Sequence, residues 1–117
     1  MHIDLSAVGQ FNPSKFALKG VYKGARSEGV MLCLLPGQEM PTHPHERFEV
    51  ILVPQTGNAV MTVSDKKDVK LVPGTLYYEE AGNSFRIVNN GTEPFQALIH
   101  LVRVSDSVPH PELDIRD

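Results

Sequence analysis

Short apolar runs alternate with turn residues along most of this chain. Val30-Met31-Leu32-Cys33-Leu34-Leu35 is a continuous run stopped by Pro36-Gly37, the pattern of a strand buried on both faces. Phe48 to Val53 is the next strand, ended by Pro54 and a Gln55-Thr56-Gly57-Asn58 turn. Ala59 to Val63 follows, and the polar turn Asp65-Lys66-Lys67-Asp68 leads into Val69 to Val72. Pro73-Gly74, Ala81-Gly82-Asn83 and Asn89-Asn90-Gly91 punctuate further strands at Thr75 to Tyr78, Phe85 to Val88 and Phe95 to Val104. Residues 1–28 are mixed, with a short strand expected near Gly20-Val21-Tyr22-Lys23. Roughly seven or eight short strands, turns about every 8–12 residues and no helical period predict an all-β sandwich or barrel. Turns this short predict antiparallel neighbours.

Size and charge narrow the classes. A chain of 117 residues makes one domain that buries somewhat more than about 60% of its unfolded surface. The net charge is −3, and Lys66-Lys67 is the only adjacent basic pair, which is not the footprint of a nucleic-acid binder. The apolar runs are of strand length, too short to span a membrane as helices. Met1-His2-Ile3-Asp4-Leu5 lacks the basic start and long apolar stretch of a signal peptide, and the single Cys33 rules out an internal disulfide. A cytoplasmic protein is expected. The organisation expected is an N-terminal packing or dimer arm over 1–27, a barrel over 28–104 and a polar tail over 105–117.

The chemistry concentrates in Pro41-Thr42-His43-Pro44-His45-Glu46-Arg47-Phe48-Glu49. Residues of equal parity share one face of a strand, so His43, His45 and Glu49 can point the same way. Two histidines and one carboxylate are a set that holds a divalent metal and leaves positions open for chemistry. A straight strand from 43 to 49 would span roughly 20 Å, far beyond metal–ligand bonds of about 2.0–2.2 Å. The chain must therefore bend between His45 and Glu49, and Pro41 and Pro44 suit such a break.

The strand count, the turn rhythm and this cluster resemble a small single-domain cupin. The first motif of that family runs Gly, five residues, His-x-His, three or four residues, Glu, six residues, Gly. Gly37, His43, His45 and Glu49 fall on it, and Gly57 comes one residue late. The second motif runs Gly, five residues, Pro-x-Gly, two residues, His, three residues, Asn. Gly74, Gly82 and Asn89 match it, Glu80 replaces the proline, and Phe85 stands where the histidine would be. The resemblance covers roughly residues 28–104. It implies a double-stranded β-helix, or jelly roll, with a metal (Fe, Mn, Ni, Zn or Cu) in the barrel mouth. It implies a dioxygenase, isomerase, decarboxylase or plain binding module acting on a small organic ligand. It also implies a homodimer. Fold alone does not choose among these reactions.

Phe85 cannot ligate a metal, and three readings follow. His43, His45 and Glu49 hold the ion and leave the fourth position to water or substrate, which is the favoured reading. In the second, His100, Glu80 or Cys33 moves in. In the third, the site has decayed and Phe85 lines an apolar ligand pocket. A glutamate among Tyr77-Tyr78-Glu79-Glu80 is a candidate general acid or base, against the plainer expectation of solvated acids at a strand end. Arg47 is a candidate for orienting an anionic substrate. Cys33 reads as core, His100 as a hydrogen-bonded core histidine, and His2 and His110 as solvated.

Overall fold

The computed structural model describes residues 1–44, 47–64 and 68–104. The alternation seen in the sequence resolves there into nine strands and one 3-10 turn, Leu5–Ala7, with no α-helix among the described residues. The strands are β1 (Ala17–Lys23), β2 (Ser27–Leu34), β3 (Glu39–Pro44), β4 (Phe48–Thr56), β5 (Ala59–Val63), β6 (Val69–Leu71), β7 (Tyr77–Glu79), β8 (Ser84–Val88) and β9 (Phe95–Arg103). They form a five-stranded sheet in the order β1-β2-β9-β4-β7 and a four-stranded sheet in the order β3-β8-β5-β6. Every pairing is antiparallel, as the short turns require. The expected polar turn at 65–68 falls largely, and the tail 105–117 wholly, outside the described residues.

The inner faces of both sheets share one core. Leu32, Leu34, Val50, Leu52, Ala97 and Ile99 from the larger sheet pack with Met40, Met61, Val63, Phe85 and Ile87 from the smaller. The outer face of β2 and β9 carries a second cluster of Met31, Cys33 and Leu98, packed by Leu5, Val8, Phe11, Ala17 and Val21. This explains the unbroken apolar run in β2: one parity fills the barrel, and the other lies under the N-terminal segment.

Two elements differ from the sequence reading. β3, with its two prolines and a histidine, has no strand-like composition. Among the described residues it is an edge strand paired only with β8, where prolines remove no ladder bond on the open side. β4 continues through Pro54, which pairs with Ala97. β7 covers only Val50 to Leu52 on the other side of β4, so the proline sits where that side has no partner strand among the described residues.

Asn89 is fully buried and ties the far end of the barrel together. Its side-chain amide donates to the carbonyls of Leu34 and Glu93, both at 2.9 Å, and its side-chain oxygen accepts from the Gly91 amide at 3.0 Å. Its main chain closes a pair of bonds with Gly37 and Gln38. At this motif position the asparagine is a structural clamp.

Candidate functional site

The chain changes sheets between β3 and β4. β3 ends at Pro44 in the four-stranded sheet, and β4 begins at Phe48 in the five-stranded one, so the bend expected after His45 is present. His43 stands opposite Phe85 in the β3–β8 ladder. His45 and Glu46 lie outside the described residues.

The corner separates Glu49 from the inner face. In the β4–β9 ladder Val50 pairs with Leu101 and Glu49 with Val102. Val50 is buried in the core and Leu101 packs against it. Side chains alternate across a strand, so Glu49 lies on the outer face, where the Tyr78 hydroxyl donates to its carboxylate. Parity counted along a single strand does not carry across this break. The motif's other spacing, four residues after His45, lands on Val50, which faces inward but offers no donor atom.

The carboxylate on the inner face is Glu79. It pairs with Val50 across the β4–β7 ladder and is only 3% exposed. The Tyr77 hydroxyl donates to its Oε1 at 2.6 Å. Its Oε2 accepts from the Glu80 amide at 3.2 Å and from the Asn83 side-chain amide. Burying a carboxylate is costly unless donors surround it, and here the strand and the following turn supply them. The same turn leads from β7 into β8, so Glu79 and the buried Phe85 flank it on the inner side. Burial and the bond to Glu79 push the Tyr77 phenol up to about 12. The bond to Glu49, with lesser help from burial, pushes Tyr78 up to about 12 as well.

The proposed replacement ligands all lie elsewhere. His100 is on the outer face with Leu98, its Nδ1 2.8 Å from the Tyr22 hydroxyl and the rings tilted at 44°, which fits the hydrogen-bonded reading. Cys33 is buried under the N-terminal segment. Glu80 is exposed, and so is Arg47 in the turn before β4. Among the described residues no three His, Cys, Asp or Glu gather around one point. Sequence reasoning singles out the four-residue stretch containing Glu79 but has no means to choose its inward member. The alternation Tyr77, Glu79 against Tyr78, Glu80 is visible there, whereas its phase is not.

The family model for the cupin domain matches residues 30–101. The chain belongs to the cupin family. Solved structures agree on the double-stranded β-helix. TT1209 from Thermus thermophilus is 27% identical with a TM-score of 0.80, over 86% of this chain and 94% of that one. A conserved protein with a double-stranded β-helix domain from Klebsiella pneumoniae is 19% identical with a TM-score of 0.81, over 87% and 84%. A predicted oxalate decarboxylase from Thermotoga maritima is 18% identical with a TM-score of 0.76, over 89% and 100%. No curated protein matches the chain. Among the described residues no helix is long and apolar enough to cross a membrane.

Proposed function

We propose that this cupin binds one divalent metal ion in the barrel mouth through His43 and His45, and acts there on a small polar organic molecule as a metal-dependent enzyme of dioxygenase or isomerase type. Two features carry the reading. His43 sits opposite Phe85 at the sheet corner, and a buried carboxylate, Glu79, stands on the inner face across the β7–β8 turn from Phe85. Two imidazoles and a carboxylate are donors of the right chemistry for Fe, Mn, Ni or Zn. A bound ion of this kind polarises a carbonyl or acidifies a water. The protein's own groups supply the surroundings. Phe85 closes the inner wall to water, and Tyr77 presents a phenol that keeps its proton far into the alkaline range. The neighbour named for oxalate chemistry supports a small polar substrate, although at its identity the likeness shows the fold alone.

A non-catalytic binder is the second reading, and Phe85 favours it. At 1% exposure the ring fills the position of the second-motif histidine with apolar surface.

Titration calorimetry of metal-free protein with Zn2+, Ni2+, Mn2+ and Fe2+ in turn tests the first reading. Close to one ion per chain is expected for at least one of them. It should be lost in His43→Ala/His45→Ala while the thermal melt stays a single transition. A parent that binds none of the four ions contradicts the proposal and leaves the binder.

A further inference from the structure

We infer that one end of the five-stranded sheet holds an anion site, a cationic pocket for a small organic dianion built by Lys23, Arg26, Phe48 and Arg103. The inference stands whether or not a metal ion occupies the barrel mouth. Strand register assembles the pocket. Phe48 pairs with Arg103 in the β4–β9 ladder, and Ser27 pairs with Val102 in the β2–β9 ladder. One step on, the Arg103 amide donates to the Arg26 carbonyl at 2.8 Å, so Arg26, Arg103 and Phe48 continue the sheet by one rung. A neighbouring rung is Glu28, Leu101 and Val50, where Val50 lies in the inner core and Leu101 packs against it. Phe48 and Arg103 share the parity of those two, so they extend the inner wall toward the rim. Lys23 comes in from β1, opposite Glu28, and the Gly24 amide closes the β1–β2 turn on the Ser27 carbonyl at 2.7 Å. These residues line one cavity of about 130 Å3.

Charge and shape define the ligand. Main-chain bonds hold two arginines at adjacent positions of neighbouring chain segments, and like charges placed opposite one another are destabilising. Among the described residues, Lys23, Arg26 and Arg103 have no carboxylate within ion-pair distance, although Glu28 lines the same cavity. Arg103 lies over the Phe48 ring, its guanidinium carbon 5.9 Å from the centroid. That contact positions the guanidinium and leaves its N–H donors without a side-chain partner among the described residues. Three cations and one carboxylate leave a charge of +2 in the cavity, on a chain whose total is −3. The arginine fork matches carboxylate and phosphate oxygens two at a time. The cavity is somewhat smaller than the roughly 150 Å3 that holds a benzene molecule, so the ligand is compact, with its carbon part against Phe48. A small phosphate monoester or a short dicarboxylate has this size and charge.

The test is calorimetry at low salt on metal-free protein cleared of chelator, with phenyl phosphate, malonate and acetate as probes. One of the two dianions should saturate at close to one per chain and bind at least about tenfold more tightly than acetate, the loss expected when a charge-assisted hydrogen bond is missing. The tighter of the two tells a phosphate ester from a dicarboxylate. Arg26→Gln and Arg103→Gln, both at exposed positions, should each weaken that dianion by about tenfold or more for the same reason. Lys70→Gln, exposed on β6, should bind as the parent does. The dianion should also raise the melting temperature of the parent and leave that of Arg26→Gln/Arg103→Gln unmoved. A parent that binds neither dianion, or neither better than acetate, overturns the inference. Parent-like binding by both arginine variants, or an equal loss in Lys70→Gln, overturns it as well.

Discussion

At the scale of single residues, the decisive quantity is strand phase. Counting parity from His43 to Glu49 assumes one unbroken strand, but the corner between Pro44 and Phe48 resets the phase and turns Glu49 outward. The two carboxylate–tyrosine pairs that result, Glu49–Tyr78 outside and Glu79–Tyr77 inside, leave a shared alkaline signature. Both phenols are raised from the ordinary value near 10 to about 12. The folded state therefore holds these protons more tightly than the unfolded chain. Their contribution to stability is fully present below about pH 10 and is lost as pH rises toward about 12, because the unfolded state releases its protons first. An ultraviolet phenolate titration of the parent should show two of the three tyrosines ionising near 12, with Tyr77 moved only part of the way back toward 10 in Glu79→Gln, because burial is the larger cause of its shift. Ionisation of all three at the ordinary value would contradict these contacts.

At the scale of elements, turns and edges are the most legible features. The Pro-Gly and Asn-Gly punctuation locates nearly every loop, and β5 at Ala59–Val63 is the strand read from the sequence. β3 escapes such a reading because an edge strand tolerates the prolines that argue against a central one. Pro54 looks like a terminus in the sequence, yet β4 runs through it because its neighbour β7 is too short to need its amide. Gly57 shows what a turn at the sheet change demands. Its φ is +74°, and an added Cβ would lie 2.2 Å from the Pro94 carbonyl oxygen. Gly37 has φ +87° but open space around it. Backbone strain of this kind costs of the order of 1–3 kcal/mol. Gly57→Ala should exceed Gly37→Ala in loss of stability, since only the former adds a collision with main chain. Urea midpoints at unchanged m-value check this, and equal losses would contradict the close approach.

At the scale of the whole molecule, the fold is open to reading because its signals are additive: strand length, turn spacing and motif glycines all indicate one jelly roll. The site is only half open. The His-x-His sequence is local and can be read without a structure, whereas the buried carboxylate, Glu79, depends on which face of a three-residue strand meets β4, a fact of tertiary register. The barrel brings Val50 from β4 to its inner wall beside Glu79 and Phe85 from the later strands β7 and β8. It leaves His100, Cys33, Glu49 and Glu80 outside that wall. The most direct measurement is a crystal structure of the Zn2+- or Co2+-loaded protein with an anomalous difference map. The account predicts one strong peak in the barrel mouth, bonded by His43 and His45 at about 2.0–2.2 Å. A peak on the outer face beside Glu49 and Tyr78, or no peak in protein that binds no metal in solution, would contradict it.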